Sequence, residues 1–307
     1  MLDVRDVRKV AVLAMCIAAG VAHTGHATPQ QSPDCVAPGA TGDHAYTCRG
    51  LRVDARIPAS CPAAGCGLIL QIHGDTGTGL LEDGHTELGR RGADAGFIVI
   101  SPTGSSSGAA WSKADDARLF GIAQDFMTAL KVDATRVHVT GFSRGGFVTW
   151  RFVCDHSDVF ASAAPAGASD GSDRGETTCF TPGHTPSRKM PLLLLIGKTD
   201  AAVFYRLIAA IRDRAIADYG VKGPRVISSD AGYAHSQWTN ANGALIEAFE
   251  HTYETRQPGP WDRARGHCFP GSTTDPLAPR YAFGCRPPTS FVWGEEVVKF
   301  FVAHPMR

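Results

Sequence analysis

The sequence predicts an α/β protein: one globular domain on a mostly parallel sheet, with helices on both faces and disulfide staples. Three observations predict it. Short apolar runs that end at glycine or a polar residue alternate with longer mixed segments, the pattern made by strands joined through crossover helices. Behind an apolar N-terminal run come eight cysteines that fall into four sequence-local couples. With 307 residues, 43% of them hydrophobic and 20% charged, and a mean hydropathy of −0.09, the chain can bury one sizeable core.

The elements follow in order. Arg5, Arg8 and Lys9 precede the apolar run VAVLAMCIAAGVA (10–22) and the small, polar stretch HTGHATPQQSP. A basic start, about a dozen apolar residues and a small residue at the exit read as a secretory signal peptide over 1–27, cut after Ala27 with Gly25 at the −3 position. The run is short for a bilayer span, and Cys16 lies inside it behind the bulky Met15, which argues against lipid attachment. Residues 28–49 are polar and rich in Pro and Gly, an extended lead-in, and the main folded domain is expected over 50–307. GLILQIHG (67–74), FIVIS (97–101), RVHVT (136–140) and PLLLLIG (191–197) read as buried strands. Between and after them, 79–94, 114–131, 145–155 and 203–218 carry helical patterns. ALIEAFEHTYE (244–254) reads as a late strand and GEEVVKFFVAH (294–304) as an amphipathic closing helix.

Charge points to no polyionic partner. Acidic and basic residues number 30 each, and removal of 1–27 leaves 27 basic and 28 acidic, a net charge of −1. There is no basic stripe for nucleic acid and no membrane element after signal cleavage, and a neutral substrate is expected. Oligomeric state is not legible. The cysteines are expected to pair as Cys35 with Cys48, Cys61 with Cys66, Cys154 with Cys179 and Cys268 with Cys285. Without a close C-x-x-C pair or an H-E-x-x-H, no metal is expected.

The chemistry centres on HVTGFSRGGF (138–147), where Gly141-Phe142-Ser143-Arg144-Gly145 fits G-x-S-x-G. That pattern is meaningful where a strand turns sharply into a helix, and here RVHVT precedes it and GGFVTWRFVC follows. A serine hydroxyl needs a base, and the base an orienting carboxylate, in the chain order Ser, Asp or Glu, His. Asp200 in LLLLIGKTDAAVFY stands just past a strand end, where parallel sheets build their sites; Asp230 in VISSDAGY is the rival. Four histidines follow Asp200. His304 ends a helix and His251 sits in a strand. His267 lies in the loop RARGHCFPGS beside Cys268, and His235 is held in reserve.

These segments resemble the polyhydroxybutyrate depolymerase and feruloyl esterase group of secreted α/β-hydrolases, over roughly 50–304. The resemblance rests on VHVTGFSRGGFVTWRFVCDHSDVFASAAPAG, LLLLIGKTDAAVFY and GHCFPG. It implies Ser143 as nucleophile, Asp200 as acid, His267 as base, and backbone N–H groups of Arg144 and Asp75 as the oxyanion hole. Asp75 departs from the group, whose members carry cysteine or glycine there. A carboxylate ~5 Å from a developing oxyanion would cost on the order of 3 kcal/mol at an effective dielectric near 20. Its side chain is therefore expected to turn away and cap the following helix. Trp111 in GAAWS falls where the group places an aromatic for substrate, with burial in the core as the alternative. Asp115 and Asp116 are expected to cap the helix after them.

The expected function is a secreted serine esterase without cofactor. Its substrates would be polyhydroxyalkanoates or their oligomers, or feruloyl- or acetyl-carbohydrate esters. The chain ends just after its closing helix, which leans the expectation toward the smaller esters. A binding protein on a hydrolase scaffold and a serine peptidase of the same fold are the alternatives. A dinucleotide-binding turn at LILQIHGDTGTGLL fails, because Glu82 stands where the third glycine belongs.

Overall fold

The computed structural model describes residues 35–61, 65–104, 111–171, 179–256, 264–280 and 283–307. The expected signal peptide, 1–27, lies outside them. The chain divides after Gln30, and all described residues belong to the second unit, Gln31–Arg307.

The unit is built on a ten-stranded sheet in the order β1-β2-β4-β3-β5-β6-β7-β10-β9-β8. Its strands are β1 (Gly42–Cys48), β2 (Leu51–Ile57), β3 (Gly67–Ile72), β4 (Phe97–Thr103) and β5 (Val137–Phe142), followed by β6 (Ser162–Ala166), β7 (Leu192–Gly197), β8 (Lys222–Ser229), β9 (Tyr233–Thr239) and β10 (Leu245–His251). From β4 to β10 every pairing is parallel. The expected strands β3, β5 and β7 are buried along their whole length, as strands covered on both faces must be. Antiparallel hairpins finish both edges. The expected lead-in supplies β1, which turns into β2 through Arg49-Gly50. Both turn residues have positive φ, 50° and 76°, the geometry that suits two-residue hairpins. β6, β8 and β9 go beyond the elements the sequence marks clearly. β6 is only five residues, and β8 is exposed throughout, so neither carries a strong apolar period.

Six helices flank the sheet among the described residues: α1 (Gly79–Thr86), α2 (Leu88–Asp94), α3 (Lys113–Ala129), α4 (Arg144–Asp155), α5 (Tyr205–Tyr219) and α6 (Trp293–Ala303). The single helix expected over 79–94 is two, broken at Glu87, whose φ of 56° cannot continue a helix. Leu119 and Phe126 of α3, Phe147 and Phe152 of α4 and Ile208 and Ile211 of α5 pack on one face. Leu88 of α2 and Trp293, Val297 and Phe301 of α6 cover the other. The four expected disulfides are all formed.

Candidate active site

Three loops at the carboxyl ends of β5, β7 and β10 bring Ser143, Asp200 and His267 together. β5 ends at Phe142, and α4 begins at Arg144, leaving Ser143 alone to reverse the chain with φ 51° and ψ −116°. A non-glycine residue held there is strained, and such strain persists only where the surroundings impose it. Its N–H donates to the carbonyl of Ala166 at 2.9 Å, pinning the turn to β6. The flanking glycines are required by close approach. A Cβ on Gly145 would overlap the carbonyl of Ile72, and one on Gly141 would overlap the backbone of Gly145.

The Ser143 hydroxyl donates to His267 Nε2 at 2.8 Å, and His267 Nδ1–H donates to Asp200 Oδ2 at 2.7 Å. All three are buried, at 8%, 2% and 5% exposure for Ser143, His267 and Asp200. Asp200 Oδ1 accepts from the N–H groups of Ala202 and Val203, both at 2.9 Å, so the carboxylate cannot rotate without losing three hydrogen bonds. The loop that carries His267 lies on the end of β7, so closely that a Cβ on Gly197 would overlap the carbonyl of Gly266 and one on Gly266 would strike Thr199 and Asp200 N. Phe142 and Phe283 pack on the imidazole, with centroids 4.8 and 5.4 Å away.

The rivals stand elsewhere. Asp230 is exposed and closes the β8–β9 turn by accepting from the N–H groups of Gly232 and Tyr233. His235 pairs with Glu247 at 2.9 Å on the β9–β10 surface. His304 caps the end of α6.

Three expectations are corrected. Asp75 does not cap α1; the Thr78 hydroxyl does, accepting from Leu81 N–H at 3.2 Å. The Asp75 carboxylate faces Arg144 instead, with Oδ1 3.6 Å from Nε. Trp111 offers no face to a ligand: it is 2% exposed, and its indole N–H donates to the carbonyl of His73 at 2.8 Å. It is a strut under the loop after β3. Of the two expected caps for α3, Asp115 forms a capping box with Ser112, whereas Asp116 forms a two-pronged ion pair with the buried Arg151 of α4.

Residues that no motif singled out hold these loops. His73 donates from Nδ1 to Gly74 O at 2.6 Å and accepts Gly104 N–H at Nε2, at 3.1 Å. Burial lowers its pKa, in keeping with a neutral ring that both donates and accepts. The buried Glu82 accepts Gly74 N–H at 3.0 Å. The loop they fix touches the elbow, since a Cβ on Gly74 would lie 3.3 Å from Ser143 Cβ. Behind His267, the buried His251 donates to Cys268 O at 3.0 Å and His85 to Phe269 O at 3.1 Å. Burial pushes both imidazoles down to about 4. His251 also lies near Cys268 and Cys285, but those thiols are joined as a disulfide and cannot ligate a metal. A histidine before the glycine that ends a strand was the one available signal for His73. Glu82 enters the sequence reading only as the residue that breaks a dinucleotide turn, and nothing there marks it as the partner of Gly74 N–H.

A cleft of about 210 Å³ opens between the β1–β2–β4 edge and α1–α2, lined by Asp43, Arg56, Asp83 and Ser101 among others. It contains none of the residues above. The hydrogen-bonded relay, rather than cavity size, marks the site.

No protein-family model matches the chain, and no curated protein matches it in sequence. Solved structures do. An acetyl xylan esterase from Aspergillus awamori superposes with a TM-score of 0.56 at 17% identity, covering 69% of this chain and 92% of its own. A thermostable esterase superposes with a TM-score of 0.52 at 14% identity, covering 86% of this chain and 62% of its own. Likeness at this level of identity establishes the fold alone: the chain has the α/β-hydrolase fold.

Proposed function

We propose that this protein is an exported serine hydrolase that cleaves carboxylic esters. The observation that carries the reading is the continuous relay from Ser143 Oγ through His267 to Asp200 on a strained strand-to-helix turn. A hydroxyl that already donates to an imidazole nitrogen can pass its proton there as it attacks a carbonyl carbon. His267 becomes an imidazolium, and the Asp200 carboxylate at 2.7 Å stabilises that charge. The tetrahedral oxyanion is received by the N–H groups of Arg144, at the head of α4, and of Asp75, in the loop that abuts Ser143. His267 then protonates the departing alcohol. Water, deprotonated by the same imidazole, releases the acid from Ser143.

The proposed esters are acetyl- or hydroxycinnamoyl-decorated carbohydrates and polyhydroxyalkanoate oligomers. The fold shared with an acetyl xylan esterase makes acetylated xylan the first of these to assay. Export accords with four disulfides, which persist in oxidising compartments. The test is hydrolysis across one panel: a nitrophenyl acetate, acetylated xylan, methyl ferulate, polyhydroxybutyrate and a peptide amide, with Ser143→Ala as blank. Turnover of an ester that falls at least about 10⁴-fold in the blank is the expected result. Turnover confined to the peptide amide would make the protein a peptidase, and none that depends on Ser143 would reject catalysis at this site.

A further inference from the structure

We propose that Arg144 is a positioning residue for the oxyanion hole: its guanidinium neutralises the Asp75 carboxylate at the rim and ties together the two loops whose backbone N–H groups form the hole. The inference rests on the ester-hydrolase reading above.

The two side chains belong to separate loops. Asp75 follows β3, and Arg144 is the first residue of α4. The loops meet beside Ser143, and across that junction Asp75 Oδ1 and Arg144 Nε stand 3.6 Å apart. Asp75 Oδ1 is shut off from solvent and accepts no hydrogen bond. The side chain as a whole is 36% exposed, but this oxygen is not, and the charge that faces it is the guanidinium. Arg144 is held for that task, largely buried and with its guanidinium 5.5 Å from the ring centroid of Phe147, one turn along α4.

Placement gives a second argument. A helix N-terminus carries partial positive charge, so a cation in the first turn is unfavourable unless an anion offsets it. α4 has no acidic residue in its first turn. Asp75, reaching over from the neighbouring loop, supplies an anion beside the arginine at that position. The reverse also holds. A carboxylate beside developing negative charge opposes the transition state, and a paired one opposes it far less. Each residue therefore corrects the electrostatic fault of the other. The pair acts when charge develops on the oxyanion, so its loss falls on kcat and leaves KM nearly untouched.

The experiment compares Arg144→Gln, Arg144→Lys, Asp75→Asn and the Asp75→Asn/Arg144→Gln pair on the best ester of the panel, with thermal melts to establish folding. Stranding the carboxylate in Arg144→Gln is expected to lower kcat about 30- to 100-fold with KM within about threefold. Arg144→Lys keeps the charge and loses less. Removing the carboxylate as well should recover at least about tenfold of what Arg144→Gln lost, a coupling that a purely structural bridge would not show. Equal losses in Arg144→Gln and in the double variant would overturn the inference, as would an Arg144→Gln enzyme that turns over like the parent. If Arg144→Gln does not fold, a double variant no faster than Arg144→Lys divided by ten overturns it. Should the parent show no Ser143-dependent turnover, the ester-hydrolase reading fails and takes this inference with it, an outcome read from Ser143→Ala before any other variant. Parent activity that depends on Ser143 but ignores Arg144 sinks this inference alone.

Discussion

At the scale of single residues, hydrogen bonding decides between carboxylates that the sequence leaves as rivals. Asp200 has one oxygen committed to two backbone N–H groups and the other to His267. An amide in its place must either turn its NH₂ toward two N–H groups or toward the imidazole N–H, and either choice spoils the relay. Asp200→Asn is therefore expected to lower kcat about 10⁴-fold on the wrong tautomer of His267. Asp230→Asn, in an exposed turn, should leave turnover within about twofold. Steady-state kinetics on the two variants side by side decides, and loss in Asp230→Asn alone would reverse the assignment. Asp200 and His267 were legible because each stands in a Gly- or Pro-punctuated loop after an apolar run. The ties that orient them, such as Asp200 to Ala202, were not, because a carboxylate's choice of partners depends on where the loop folds back.

At the scale of elements, the strand–turn–helix around Ser143 works by close approach. Gly145→Ala places a methyl on the carbonyl of Ile72, which is itself fixed in the central strand β3. With backbone on both sides the clash cannot relax, and a loss of about 3 kcal/mol or more is expected. A calorimetric melting temperature at least about 5 °C below the parent would register it. The loop that carries His267 has a different anchor, the Cys268–Cys285 disulfide, which spans 17 residues. Replacing both cysteines with serine is expected to cost about 3 kcal/mol in denaturant unfolding. Turnover per folded molecule should fall as well, because the imidazole must stay within hydrogen-bond reach of Ser143. Unaltered kcat in that variant would show that His251, His85 and the glycine contacts suffice to hold the loop.

At the scale of the whole molecule, buried histidines tie the fold to pH. Burial pushes His85 and His251 down to about 4 and His138, stacked on Phe301, down to about 3. In the unfolded chain each would titrate near 6.5. The unfolded state thus takes up protons first on acidification. The stabilisation is complete above about pH 6.5 and is lost as pH falls toward the folded values, by up to about 3–5 kcal/mol per histidine. Asp83 has the opposite sign. Burial raises its carboxyl to about 6, so it weakens the fold as pH rises from about 4 to 6 and offsets part of the histidine effect. Three histidines against one aspartate leave a net loss on acidification. Denaturation midpoints measured from pH 7 to 4 should fall steeply, and His138→Gln should flatten that slope even where it lowers stability overall. A flat profile in the parent would mean that these rings are not held neutral.

Local stretches of the chain carry the fold class, the strand-to-helix turn at Ser143, the chain order of Ser143, Asp200 and His267, and the four cysteine couples. Each of these is local: a period of apolar residues, a glycine pair, a loop after a strand, or a short loop between cysteines. Long-range packing makes Trp111 a strut, turns Asp75 toward Arg144, pairs Asp116 with Arg151 and sets Glu82 and His251 against the site loops. Those contacts join residues on different strands and helices. Which side chains meet across a sheet is set by strand order, crossover and burial, and no window of the chain contains that information.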